Sequence, residues 1–354
     1  MKVQKKQYAI IPIALTVFLD LLGLGIVIPI LPAILLDPIG GILPLNYSYT
    51  VRILMYGFLV ASYPIAQFFG APVLGTLADG YGRKKLLLLS LCGTLIGYII
   101  FVTGILQGNV ILLFIGRMID GFTGGNISVA QSAIADISNE KTKARNFGLI
   151  GMCFGLGFVI GPFIGGKLSD PYIYEGFTYA TPFFVSIVLT VINIILVCVN
   201  LQETIINKRA VRIDFFTGFK NIKSAFSFHK LRVMFLVVFL LNIGHNFFTQ
   251  FLQVFLMGKF GFTQSKVADF FCVYGNLDCN FARWANETPL EKIQFYLYLK
   301  SLYGSCCICF AFVNITEQFH MAIFHHTLCC NHARDESTEY FSYHIKSDGC
   351  RQTR

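Results

Sequence analysis

The stretch "GTLADGYGRKK", Gly75–Lys85, places an acid, glycines and three bases in a short gap between two membrane-length apolar runs. Asp79 and Arg83 are four apart, so on a helical turn their side chains meet. Gly75 and Gly82 permit close backbone approach and a tight reversal. At the least, such a turn fixes topology at a membrane face; its flanks decide what fold it serves.

The chain has 354 residues, 55% of them hydrophobic and 13% charged. Its mean hydropathy of +0.63 lies beyond that of an ordinary soluble domain. A helix needs about 20 mostly apolar residues to cross a hydrocarbon core of roughly 30 Å. Seven such stretches lie near 8–36, 51–78, 85–105, 109–135, 147–168, 180–201 and 231–257, and an eighth begins around Ser265. The first is longer than the core of a signal peptide, is rich in Gly and Pro, and lacks a small-residue cleavage site, so it is expected to be retained. The expected fold class is an all-α, multi-pass membrane protein.

A net charge of +9 would suggest nucleic acid in a soluble protein, but here the bases sit at alternate ends of the spans. Lys2, Lys5 and Lys6 precede the first; Arg83, Lys84 and Lys85 follow the second; Lys141, Lys143 and Arg145 follow the fourth. After the sixth come Lys208, Arg209, Arg212, Lys220, Lys223 and Lys230, whereas the connections near 37–50 and 106–109 are almost free of bases. The positive-inside rule then puts the N-terminus and the 202–230 loop in the cytoplasm, and the expected location is the inner (cytoplasmic) membrane. Membrane lipid is an expected partner, with a secondary attraction of the bases to anionic lipid, and nucleic acid is not.

The opening stretch resembles the loop signature G-x-L-x-D-x-x-G-R-[KR]-x of the major facilitator superfamily, matched at Gly75, Leu77, Asp79, Gly82, Arg83 and Lys84 and departing at Gly80, where the family often has a base. Three further signatures follow in order. "DLLGLGIVIPILP" resembles the first-span pattern of drug:proton antiporters, with Asp20, Gly23, Gly25, Pro29 and Pro32. "GRMIDGFTGGNISVAQSAIADI" resembles the fourth span that carries a buried Arg, matched at Gly116, Arg117, Gly121, Gly124, Ala130 and Asp136. "GLGFVIGPFIGG" matches the antiporter signature of the fifth span at Gly157, Gly161, Pro162, Gly165 and Gly166. The resemblance covers about residues 8–271. It implies a proton-coupled exporter of small amphipathic compounds, similar to the tetracycline and multidrug efflux branch, with Asp79 in a conformational latch and a fifth span that seals against leak.

The residues carry a physical reading of their own. An ionised side chain inside a span costs about 2.5–3.5 kcal/mol on insertion scales, so Asp20 and Arg117 are expected to face an interior cavity or a partner. Asp120 lies one turn beyond Arg117 and can share its charge. A carboxylate that alternates between a proton and a guanidinium is a proton switch; a static ion pair between helices is the structural alternative. Asp20 with Gly23 and Gly25 is echoed by Asp120 with Gly124 and Gly125, as in transporters built from three-helix repeats. Asn242, His245, Asn246 and Gln250 form a polar stripe in the seventh span, suited to lining a substrate path or to bonding a neighbouring helix. No phosphate loop, nucleophile triad or cofactor fingerprint is present, so neither an enzyme nor a bound cofactor is expected; the resemblance implies the proton gradient as energy source.

Beyond Phe271 the composition changes. Residues 1–271 hold three cysteines (Cys92, Cys153, Cys198) and two histidines, while the last 83 residues hold eight and five. "CCIC" and "HHTLCCNH" supply zinc-type ligands but lack paired C-x-x-C geometry, so no metal site is expected. A loosely packed cytoplasmic tail is a second reading, set against the apolar run at 293–313. The third is a shifted reading frame. Read one base later, the codons for Tyr274 to Leu290 permit Met-Gly-Ile-Trp-Ile-Ala-Ile-Ser-Gln-Gly-Gly-Leu-Thr-Arg-Pro-Leu, an apolar helix followed by a glycine turn and a base.

The expected organisation is therefore a complete N-terminal six-helix half over 1–201, a cytoplasmic central loop over 202–230, the seventh span and start of the eighth over 231–271, and an out-of-frame tail over 272–354. A major facilitator fold with an incomplete C-terminal half should not transport. The rival functions are a sugar or metabolite symporter of the same fold, a seven-span receptor, and a metal-binding membrane protein that uses the Cys/His tail.

Overall fold

The computed structural model describes residues 10–37, 41–44, 46–205, 216–227 and 232–273, apart from the side chains of His245 and Phe248. The expected tail from 274 on lies outside the described residues. The helices are α1 (Ile10–Leu36), α2 (Tyr49–Tyr81), α3 (Arg83–Gln107), α4 (Val110–Thr123), α5 (Asn126–Ile137), α6 (Lys143–Leu168), α7 (Thr181–Asn200), α8 (Thr217–Ser227) and α9 (Arg232–Phe260). A further helix, α10, runs over 264–273. Among the described residues, seven helical segments are long and apolar enough to cross a membrane, with α4 and α5 together forming the fourth. Their bounds fall within a few residues of the hydropathy reading.

Local chemistry sets the boundaries. Ser48 caps α2 by accepting from the Val51 N–H at 3.4 Å, and Asn109 Oδ1 accepts from the N–H groups of Ile111 and Leu112 to start α4. Gly108, at φ +65°, closes α3 in the left-handed conformation that glycine adopts without cost. Two details differ from the sequence reading. Arg83, Lys84 and Lys85 form the first turn of α3 rather than a loop, because Gly82 reverses the chain alone at φ +117°. The fourth span is broken at Gly124–Gly125, where α2 comes too close for a side chain: a Cβ on Gly125 would lie 2.6 Å from Cα of Ala71.

α1 is the axis of the bundle and the most buried span. It packs along α6 and touches α2, α5, α7 and α9, while α4 is held between α2 and α3. Small residues permit the α1–α6 approach: a Cβ on Gly161 would lie 2.7 Å from Cα of Gly25, and one on Gly157 would lie 2.6 Å from Cβ of Leu21. Two signatures recognised separately in the sequence are thus opposite faces of one interface. Outward-facing Phe58, Leu106, Ile111 and Val199 are exposed, as a lipid-facing surface requires.

Candidate transport site and latch

The interior of the six-span bundle holds an ionisable cluster. Asp20 on α1 and Arg117 and Asp120 on α4 are each about 5% exposed or less. Arg117 Nη1 stands 3.7 Å from Asp120 Oδ2, an ion pair too long to be a hydrogen bond. The guanidinium also lies 4.6 Å above the ring of Tyr63 from α2, a cation–π contact. No ion pair joins Asp20 to Arg117, and Asp20 Oδ2 is buried with no hydrogen-bond partner. Arg117 Nε and Nη1 and both amide atoms of Asn126 share that condition. Asn126 opens α5 just past the glycine break, beside Asp20. Next to this cluster is a crevice lined by Gly97, Tyr98, Phe101, Arg117, Asp120 and Phe183, too tight to hold a water.

The opening stretch builds a second cluster at the end of the bundle where α2 meets α3. Arg83 pairs with Asp79 through Nη1 at 2.6 Å and with Asp136 of α5 through Nε at 3.2 Å. Its backbone N–H donates to Glu203 at 2.8 Å, and Glu203 also accepts from the N–H groups of Thr204 and Ile205. The Thr204 hydroxyl donates to Asp136, and Lys84 Nζ donates to the Cys198 carbonyl near the end of α7 at 2.7 Å. Among the described residues, this cluster joins elements of the first six spans and the segment that follows them.

At the opposite end, Arg52 is 2% exposed and donates to the carbonyls of Leu35, Asp37, Leu43, Pro44 and Tyr47, which ties the α1–α2 connection into one turn. There the later helices dock. Lys167 pairs with Asp269 at 2.8 Å and bonds Ser265 at 2.7 Å, the Tyr56 hydroxyl donates to the Gln250 carbonyl, and Gln253 Nε2 donates to Tyr56.

Of the residues singled out in the sequence, the structure brings Asp20, Arg117 and Asp120 together in the bundle interior, Asp79 and Arg83 together where α2 meets α3, and Gly157 and Gly161 against α1. Asn242 and Asn246 donate to their own helix at Val238 and Asn242, the Gln250 contact runs through its backbone, and the His245 side chain lies outside the described residues. Asn126, Tyr63, Glu203, Gln253 and Arg52 were missed. A single charge or amide within an apolar segment was the available signal for Asn126, Gln253 and Arg52. Among the described residues, no group of three or more His, Cys, Asp or Glu side chains could hold a metal ion.

The sequence pattern of the Major Facilitator Superfamily matches residues 13–330. The chain belongs to that superfamily. Membership makes it one of a family of membrane transporters rather than enzymes. The match also continues past Phe271, into the segment where composition changes. Among relatives, the class C tetracycline resistance protein of Escherichia coli is 39% identical over 200 residues, 56% of this chain and 46% of that protein. Multidrug resistance protein 1 of Bacillus subtilis (strain 168) is 30% identical over 267 residues, 75% of this chain and 62% of that protein. The chain spans about half the length of the tetracycline resistance proteins it matches. The fold is that of the human organic anion transporter MFSD10, with a TM-score of 0.60 at 20% identity, covering 85% of this chain and 83% of that one.

Proposed function

We propose that these residues form the proton-coupling half of an exporter that exchanges protons for small amphipathic compounds across the inner membrane, with the N-terminus in the cytoplasm. The observation that carries this reading is the buried cluster of Asp20, Arg117 and Asp120 where α1 meets the broken fourth span, in which Asp20 Oδ2 and Arg117 Nε and Nη1 have no hydrogen-bond partner. A static ion pair that glues helices would be satisfied on both sides; this one leaves valences open for a proton. A proton taken up by Asp20 gives its carboxyl a donor of its own. Movement of Arg117 from Asp120 and Tyr63 toward Asp20 then expels that proton, and the change of partner is the coupling event. Asp79, Gly75, Gly82, Arg83 and Lys84 serve as the latch that holds one access state, while Gly157, Gly161, Pro162, Gly165 and Gly166 keep the α1–α6 seam closed. Asn242, His245, Asn246 and Gln250 are assigned to the substrate path. The tight seam favours antiport over a sugar or metabolite symport, in which the same fold is used.

Alternating access rocks two halves around a midplane site, so transport needs the second half. The nucleotide sequence across the codons for Asp269 to Leu290 decides whether a single base separates this chain from a frame encoding four or five more spans. Proteoliposomes holding the frame-restored protein should expel a fluorescent amphipathic cation when a pH gradient is imposed, and should stop when an ionophore collapses it. Asp20→Asn should abolish the response with folding intact. Efflux that outlasts the gradient, or that Asp20→Asn leaves unchanged, overturns the coupling scheme.

A further inference from the structure

The connector between the sixth and seventh spans contains α8, "TGFKNIKSAFS" over Thr217–Ser227, none of whose residues is buried. At about 100° per residue, Phe219, Ile222 and Phe226 fall within about 60° of one another on one face. Lys223 and Lys220 follow along one edge of that face, about 40° and 100° beyond Phe219, and both are exposed. The apolar face is only partly covered by protein. Phe219 meets Phe68 at 5.0 Å and Phe69 at 6.3 Å between ring centroids, yet it remains 52% exposed, and Ile222 remains 47% exposed. Two facts identify what covers the rest.

The first is depth. α2 has 33 residues and is about 50 Å long, so it overhangs a hydrocarbon core of roughly 30 Å by about 10 Å at each end if the excess is shared equally. Phe69 lies 12 residues, or about 18 Å, before Tyr81, and hence about 8 Å inside the boundary. Side chains that reach it from α8 lie at the depth where interfacial helices bury their apolar face, about 5–10 Å. The second is charge. Residues 202–230 carry six bases (Lys208, Arg209, Arg212, Lys220, Lys223, Lys230) against Glu203 and Asp214, and Glu203 is already engaged by the latch.

We propose that α8 is a membrane-surface anchor that binds anionic lipid headgroups, with Phe219, Ile222 and Phe226 in the acyl boundary and Lys220 and Lys223 on the phosphates. The partner is the anionic leaflet of the membrane the spans already occupy. Because the same connector begins at Glu203, the anchor and the latch are two points on one tether, and lipid charge bears on the latch end of the bundle.

The test is hydrogen–deuterium exchange of the full chain in nanodiscs of phosphatidylcholine and in nanodiscs with about one third phosphatidylglycerol. Exchange over 216–227 should slow in the anionic discs. Each lysine near an anionic surface contributes about fivefold to binding, so Lys220→Gln/Lys223→Gln should remove about 25-fold of surface affinity and most of the added protection. Raised salt should do the same, while exchange in the spans stays unchanged as a control on folding. Phe219→Ser should lower protection in both disc types. Equal exchange in the two lipids, or added protection that survives the double lysine variant, would mean that α8 is held by α2 alone and would overturn the proposal.

Discussion

The two charge clusters of this protein are built from the same residue types and are arranged in opposite ways. At the latch, Arg83 divides its donors between Asp79 and Asp136, and Glu203 collects three backbone N–H groups. Asp79 and Asp136 remain 37% and 30% exposed, so water completes what protein does not. In the bundle interior, Arg117 and Asp120 stand 3.7 Å apart, nearly dry, with Arg117 donors and the acceptor Asp20 Oδ2 left over. A connected network at a hydrated end holds one arrangement. An under-satisfied network in the interior is costly where it stands and is ready to take another.

The sharpest way to break that contrast is to remove Arg117. Loss of one member of a dry pair leaves the other uncompensated, so Arg117→Met should lower unfolding free energy in detergent by about 3–5 kcal/mol. Removing both charges with Arg117→Met/Asp120→Leu should recover that loss or exceed it, because desolvation of the original pair is poorly repaid at 3.7 Å. A double variant as unstable as the single one would show that Asp120 is held by groups other than Arg117, and that the interior network is structural after all.

At the latch the same pair of substitutions should behave differently, with a smaller effect. Arg83→Gln should cost about 1–2 kcal/mol, discounted because its carboxylate partners are partly hydrated. Asp79→Leu/Arg83→Met should not recover stability, since Asp136 still loses its Nε donor. Full recovery in the double variant would reduce the latch to an isolated surface pair. The readout in both cases is the unfolding midpoint with an unchanged denaturant slope.

The sequence disclosed the spans because hydropathy over about 20 residues is a property of composition alone. It disclosed Asp20, Arg117 and Asp120 because any ion in such a segment is conspicuous. What it could not disclose was facing. Asn242 and Asn246 are as polar as Asn126 and Gln253, yet the first two spend their amides on their own helix and the second two are buried. Which face of a span meets a neighbour depends on glycine contacts between helices far apart in the chain, such as Gly25 with Gly161. Glu203 was invisible for another reason: an acid in a basic loop reads as solvated until the fold brings Arg83 to it.

The smallest effect tests whether an orphaned buried atom is an orphan in fact. Gln253 is fully buried and donates to the Tyr56 hydroxyl at 2.9 Å, but its Oε1 has no partner. Gln253→Leu loses two hydrogen bonds, to the Tyr56 hydroxyl and to the Gln250 carbonyl at 3.0 Å, together worth about 1–3 kcal/mol, and also removes an unsatisfied acceptor whose burial costs a comparable amount. Tyr56 still donates to the Gln250 carbonyl at 2.8 Å, so its own donor is not stranded. The net change should be within about 1 kcal/mol of zero, whereas Tyr56→Phe gives up two hydrogen bonds, leaves Gln253 and the Gln250 carbonyl only the bond between them, relieves no unsatisfied acceptor, and should cost about 1–3 kcal/mol. If Gln253→Leu instead costs as much as Arg83→Gln, then a bound water satisfies Oε1. The unpaired atoms around Asp20 must then be read as hydrated too, and the interior cluster moves closer in kind to the latch.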